Sequence, residues 1–237
     1  MPDIFAVRIA GPLSSEVADG LASELPEETR SRLGRYRLQA DRDRKLLAES
    51  LIRYLLRKRL GRQISGVVFA RNEYGKPYIK EATDFHFNLS HSGEWVACIL
   101  HNRPAGIDVE QMAPIDTNAI ASRYFADREQ EQLFGLPEPE RLRRFYELWT
   151  CKESYMKAEG LGMSLPLRDF YVVIQGGFAH AYPAYPGSMA SMPRSLRLYG
   201  MGSAVMAVCA EEGAQFPDEP VVLTSDELAI SCLRERD

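Results

Sequence analysis

One hexapeptide limits the folds open to this chain more than any other: Ala105-Gly-Ile-Asp-Val-Glu110. Read as a strand it alternates, with Ile107 and Val109 on one face and Asp108 and Glu110 on the other. Two carboxylates side by side repel each other, and a sheet gains nothing from them without a cation. A second stretch, Trp149-Thr-Cys-Lys-Glu-Ser-Tyr-Met-Lys157, reads as helix. There Leu142, Phe145, Trp149 and Met156 recur at helical spacing, a stripe that faces a core. Glu153 falls on or beside that stripe, where an apolar residue is expected, and a carboxylate turned inward needs a partner. The economical reading is that Asp108, Glu110 and Glu153 converge on one hard divalent cation, Mg2+ before others. Lys157, one turn beyond Glu153, then lies beside whatever anion the metal holds.

At 237 residues the chain can bury a sizeable core, as one large domain or two small ones. A net charge of -4 excludes nucleic-acid binding through bulk positive charge. Cys98, Cys151, Cys209 and Cys232 are widely spaced with no CxxC pair, and no secretory segment is recognisable. They read as reduced thiols of a cytoplasmic protein. No apolar run approaches membrane-spanning length, so no membrane association is expected.

Taken in order, the chain predicts a strand at 4–9, one or two short helices over 14–34, and a strong helix from Asp41 to Leu60 stopped by Gly61. Short strands follow at Gly66–Ala70, Phe85–Ser90 and Trp95–Leu100, with a turn at Asn72-Glu-Tyr-Gly-Lys-Pro77. His101-Asn-Arg-Pro104 has turn composition and is expected to join Trp95–Leu100 to the Asp108 strand as a hairpin. Helix is expected again over 120–134 and about 140–159, ending at Gly160, then strands at 170–174, 178–182, 196–199 and 204–210. The stretch 183–194 reads as loop, and residues from about 211 as a tail over the second half. A long helix followed by strands, twice over, predicts an α+β fold of two similar halves, 1–103 and 104–237. Asp108 and Glu153 then lie near a cleft between them.

Phe85-His-Phe-Asn-Leu-Ser-His-Ser-Gly93 puts His91 and Ser92 where a strand is expected to end, beside free backbone N–H groups. That setting suits a phosphate, or merely a histidine that caps a hairpin. A Ser-His hydrolase is rejected, because the chain has no Gly-x-Ser-x-Gly elbow and a triad histidine rarely neighbours its nucleophile. Gly75, Lys76 and Pro77 form a turn that either grips a ligand or simply turns. Arg30, Arg32, Arg35, Arg37, Arg42 and Arg44 are a solvated charge run from which one or two side chains can be spared to chelate phosphate.

Together these pieces resemble the Sfp-type 4'-phosphopantetheinyl transferases. The resemblance rests on Tyr74-Gly-Lys-Pro77, Phe87-Asn-Leu-Ser-His-Ser-Gly93, Gly106-Ile-Asp-Val-Glu110, Trp149–Lys157 and Gly160-Leu-Gly-Met-Ser-Leu-Pro-Leu167. They occur in the family's order and spacing over nearly the whole chain. It implies two α/β halves related by pseudo-twofold symmetry, with coenzyme A in the cleft between them. It also implies the reaction: phosphopantetheine passes from coenzyme A to a serine of an apo peptidyl or acyl carrier protein, leaving adenosine 3',5'-bisphosphate. This agrees with the lack of a convincing nucleophile in the chain itself. Carried over by residue, Asp108, Glu110 and Glu153 hold Mg2+ against the pyrophosphate, and Lys157 neutralises charge there or assists the leaving group. Gly75, Lys76 and Pro77 sit against the adenine nucleotide, while Ser90, His91, Arg44 and Arg32 grip its phosphates. Glu129 matches a family acid without an assigned role. The general base is open between Glu153, Glu110 and a metal-bound water.

The chain departs from close Sfp-like members at Pro26-Glu-Glu-Thr-Arg30, where they carry a lysine. Either one cationic contact to the 3'-phosphate is missing or Arg30 replaces it. Tyr124, Phe125 and Leu133 are candidates for an apolar carrier-docking patch, or else core. The two competing functions are a Mg2+-dependent phosphohydrolase or nuclease using the same acids and an inactive carrier-binding module. A monomer is expected, since one chain supplies both sides of the cleft.

Overall fold

The computed structural model describes residues 1–60, 67, 69–80, 85–190 and 192–234. The fold is α+β, with two sheets that each carry one long helix. The first sheet has the order β11-β1-β5-β4, from β1 (Asp3–Arg8), β4 (His86–Ser92), β5 (Trp95–His101) and β11 (Val221–Thr224). The second has the order β6-β10-β9-β8-β7, from β6 (Gly106–Gln111), β7 (Phe170–Gln175), β8 (Phe178–Pro183), β9 (Arg194–Met201) and β10 (Ala204–Glu211). A small hairpin, β2 (Phe69–Arg71) with β3 (Pro77–Ile79), stands apart.

Three cores follow from strand alternation. Val96, Cys98 and Leu100 of β5 point outward, where Leu47, Leu51 and Leu55 of α3 (Gln39–Leu60) cover them. Val205, Ala207 and Cys209 of β10 meet Leu148, Cys151 and Tyr155 of α6 (Glu140–Glu159) in the same way. The opposite faces, Ala97 and Ile99 of one sheet with Ile107, Val109, Met206 and Val208 of the other, pack together as the core between the halves.

The two long helices begin and end within two residues of the sequence expectation. Gly61 and residues 66 and 68 of the expected strand lie outside the described residues, and its end at 69–70 is the start of β2. The short helices are α1 (Ser15–Ser23) and α2 (Glu27–Leu33). The helix expected over 120–134 is two helices, α4 (Thr117–Tyr124) and α5 (Asp127–Phe134). Phe125 is extended, with φ -89° and ψ 149°, and drives its ring into the second core.

Three expectations are corrected. The His101–Pro104 turn does not make a hairpin: β5 pairs with β1 and β4, whereas β6 pairs with β10, so the turn carries the chain from one sheet to the other. Only the first part of the tail lies on the second half, where the Gly213 N–H bonds Ser195 Oγ and the Tyr199 hydroxyl bonds the Pro217 carbonyl. Beyond it β11 pairs parallel to β1, and α7 (Ser225–Arg234) buries Leu228, Ala229 and Cys232 against the first core. Phe125 and Leu133 are wholly buried, and an apolar docking patch loses both. Among the described residues, no helix is long and apolar enough to cross a membrane.

Candidate functional site

Asp108 and Glu110 share one face of β6, and α6 crosses that face at close range. Gly106 permits the crossing. A Cβ there would lie 2.0 Å from the Ser154 carbonyl oxygen and 2.6 Å from the Ala158 nitrogen, so no other residue lets α6 descend this far. The helix ends where Gly160 takes a left-handed conformation, φ 76°, and its N–H bonds the Met156 carbonyl. Between these two glycines α6 holds Glu153 half-buried and swings Lys157 over Asp108.

Lys157 Nζ lies 2.7 Å from Asp108 Oδ1 and 3.0 Å from Ser90 Oγ. Ser90 Oγ also donates to Asp108 Oδ1 at 2.8 Å. The other oxygen, Asp108 Oδ2, is buried and has no hydrogen-bond partner among the described residues. An orphaned carboxylate oxygen in the interior is costly, and one cation would relieve it. Glu110 receives Ser92 Oγ on Oε2 at 2.8 Å. Burial, then the charge of Asp108, pushes the Glu110 pKa above the ordinary carboxylate range. Glu153 is raised to about 6 by burial, then by Asp108 and Glu110, with Lys157 opposing. One lysine thus faces three mutually repelling acids. Among the described residues no three side chains are drawn into a ready-made metal cage. Like charges without a sufficient counter-ion hold apart, as here. The donor set, all carboxylate oxygens with one of them orphaned, fits a hard divalent cation.

Beside this cluster runs a basic rim. Arg44 donates to the Gly93 carbonyl at 2.9 Å and to Asp41 Oδ1 at 2.5 Å. His91 keeps an exposed edge; its crowded setting, then Lys45, Arg44 and Lys157, lowers its pKa. Arg32, exposed and donating to Thr29 Oγ1 at 3.3 Å, lines a crevice with Lys45, Arg71, Pro77, Phe87 and Leu89. Arg30, also exposed, lies on the same short helix. Another crevice, of about 580 Å3, opens between Arg8, Trp95, Tyr199 and Asp218 at the rim of the inter-sheet core, and none of the acid-cluster residues lines it.

Other expected site residues sit differently. β4 continues past Ser90 and ends at Ser92, so His91 is a ladder residue, Ser92 alone stands at the junction, and the turn is Gly93-Glu94. Ser90 is buried and held by Asp108 and Lys157, inside the acid cluster. Lys76 turns its ammonium away from the crevice onto the Ala105 and Ala158 carbonyls, each at 3.2 Å. Burial, then Arg194, lowers its pKa to about 8. It ties the end of α6 to the segment that leads into β6. Gly75, φ 86°, and Pro77 flank it in the β2–β3 turn.

Two features escaped the sequence reading. Lys152 is fully buried, 2.7 Å from Glu129 Oε2, and donates to the Phe170 carbonyl at 2.8 Å. Glu129 also accepts the N–H groups of Val172 and Ala126, each at 2.8 Å. Burial raises Glu129 and lowers Lys152, and their mutual attraction offsets it. A signal existed: Lys152 stands on the stripe that Leu148 and Tyr155 extend. The second feature is a seam between the sheets. Asn88 Oδ1, Ser90 Oγ and Ser92 Oγ accept the N–H groups of Ile107, Val109 and Gln111 at 2.9, 3.4 and 3.1 Å. Polar residues at every second position of β4 were its trace in the sequence.

Two family models match the chain: 4'-phosphopantetheinyl transferase, N-terminal, over residues 12–102, and the 4'-phosphopantetheinyl transferase superfamily over 104–182. The 4'-phosphopantetheinyl transferase Sfp of Bacillus subtilis is 35% identical over 227 residues, covering 95% of this chain and 99% of the relative. The transferase gsp of Aneurinibacillus migulanus is 38% identical over 172 residues, 73% of this chain and 71% of its own. HetI of a Nostoc species is 34% identical over 149 residues, 61% and 63% of the two chains.

Proposed function

Because the chain belongs to the 4'-phosphopantetheinyl transferase superfamily, we propose that its acid cluster and basic rim act together in one transfer. The enzyme moves 4'-phosphopantetheine from coenzyme A to a serine of an apo carrier protein and releases adenosine 3',5'-bisphosphate. The carrying observation is the orphaned Asp108 Oδ2 beside a saturated Oδ1. Asp108, Glu110 and Glu153 would hold a divalent cation, Mg2+ by donor chemistry. When bound, it supplies positive charge against the pyrophosphate and the leaving phosphate.

The chain's own groups do the rest. Lys157, pinned on Asp108, adds a cation beside the reacting phosphate. Arg32, Arg44 and His91 bind the nucleotide phosphates, with Arg30 available for the 3'-phosphate. Gly75 and Pro77 shape the rim for adenine, and Lys76 serves through its backbone and stem, its ammonium being engaged. Glu153 stands among the other two acids, where a bound cation would favour its ionised form, and it is the group this reading assigns as base. It takes the proton as the carrier serine oxygen bonds to the β-phosphorus and the bond to the nucleotide phosphate breaks. The two halves are read as pseudo-twofold copies, 1–103 and 104–237, with residues 221–234 lent back to the first. Buried thiols are consistent with a cytoplasmic setting, and the shared cleft with a monomer.

The test is intact mass of an apo peptidyl carrier, and separately an apo acyl carrier, after incubation with the protein, coenzyme A and Mg2+. A gain of one phosphopantetheine, abolished by EDTA, is expected. No gain from folded protein with either carrier, but release of phosphate from coenzyme A, returns the phosphohydrolase reading. Binding of coenzyme A without transfer returns the inactive module.

A further inference from the structure

We propose that Ser92, a residue of the first half, is a positioning residue that orients the Glu110 carboxylate of the second half for the cation. The inference rests on the metal reading of the acids given above.

Two serines of β4 each have a single hydrogen to place. A hydroxyl has one hydrogen to donate and two lone pairs to accept. Ser92 Oγ lies 3.1 Å from the Gln111 nitrogen, whose N–H can only donate, so the hydroxyl accepts there. Its hydrogen is thereby free for one partner, and Glu110 Oε2 stands 2.8 Å away. Ser90 repeats the pattern one rung earlier. It accepts from the Val109 N–H and from Lys157 Nζ, and directs its hydrogen to Asp108 Oδ1. Each β6 acid therefore has one oxygen held by the opposite sheet. The second oxygen of Asp108 has no partner, and no hydrogen bond to Oε1 of Glu110 is made among the described residues. The free oxygens are the pair a cation can take.

Asn88, the third rung, accepts from the Ile107 N–H, and among the described residues it makes no hydrogen bond to a carboxylate. The seam thus contains its own control: Asn88 joins the sheets, whereas Ser92 joins them and also holds an acid. Groups that fix a metal ligand from behind typically set affinity by 10–100-fold, and Ser92 occupies that place for Glu110.

The experiment measures binding of Mn2+, a paramagnetic substitute for Mg2+, to the full chain by electron paramagnetic resonance, without coenzyme A or carrier. Wild type, Ser92→Ala and Ser92→Thr are compared, each with its thermal midpoint. Ser92→Ala is expected to weaken Mn2+ by about tenfold or more, and Ser92→Thr, which keeps the hydroxyl, to stay within about threefold of wild type. Ser92→Cys, of similar size with a feeble donor, falls between them and serves if the alanine chain does not fold. Wild-type affinity in Ser92→Ala, or equal loss in Ser92→Ala and Ser92→Thr, overturns the inference and leaves the metal reading standing. Failure of the wild type itself to bind Mn2+ overturns the metal reading, and this inference with it.

Discussion

Lys152 and Glu153 are neighbours on α6, yet their surroundings are opposite in kind. Lys152 enters a closed pocket where every charge is met: Glu129 with both oxygens, the Phe170 carbonyl, and the Phe170 ring with its centroid 4.2 Å away. Glu153 enters a cluster of three acids and one lysine, where one buried oxygen has no hydrogen-bond partner among the described residues. Both sites are buried and charged, and only one is balanced. Burial of charge alone therefore does not mark a functional site. Several acids converging with too little counter-charge are the better mark, because something else must complete them.

The comparison can be broken most forcefully at Glu153. Glu153→Gln is expected to lower turnover roughly 10²–10⁴-fold in the intact-mass assay while the chain stays folded. Unchanged turnover would remove Glu153 from the chemistry. Next in size is the balanced site. Glu129→Gln leaves Lys152 charged without a counter-charge in the interior, and should cost about 3–5 kcal/mol in urea unfolding. A loss below about 1 kcal/mol would mean that water or another group reaches Lys152.

Adding Mg2+ at about one hundred times its Kd should stabilise the wild type by about 2.7 kcal/mol, read as a rise in Tm. The same addition should do far less for Glu153→Gln, and equal shifts in both chains would place the metal elsewhere. A subtler consequence concerns pH. The Glu153 pKa of about 6 in the folded chain lies above the ordinary 4.5, so without metal this group lowers stability as pH rises between those values. The whole penalty, about 2 kcal/mol at most, is present above pH 6. Metal-free Glu153→Gln should therefore melt above wild type at pH 7, with the gap closing towards pH 4.5. A gap that widens on acidification contradicts the sign. The smallest effect sharpens the scale. Arg143 pairs with Glu147 at 3.1 Å on the exposed side of the same helix, and Arg143→Ala should change stability by no more than about 0.5 kcal/mol.

What the sequence disclosed follows from how locally each feature is encoded. The two long helices were legible because their apolar stripes repeat over five turns and Gly160 closes the second. The acid set was legible because Asp108 and Glu110 alternate with Ile107 and Val109, and because Glu153 interrupts a stripe. Features that depend on distant pairing were not. The His101–Pro104 turn has hairpin composition, and nothing within it says that the strand beyond joins another sheet. The placement of 221–234 depends on β1 having an open edge, a property of residues more than two hundred positions away. Lys76 was set against the nucleotide by the family resemblance, since its Gly-Lys-Pro turn alone reads as readily as a plain turn. Its ammonium is engaged by carbonyls that only the packing of α6 brings near.

The return of β11 and α7 to the first sheet also sets an order in time. When the chain emerges from a ribosome, β1, α3, β4 and β5 are made early, yet the outer neighbour of β1 arrives only with residues 221–224. The first sheet waits with an open edge, and the first core without Leu228 and Cys232, until the second half has been synthesised. The half that begins first finishes last. Pairing over such a span is slow in principle and exposes strand edges to neighbours meanwhile. A fragment cut at the linker between β5 and β6 would be born in that unfinished state.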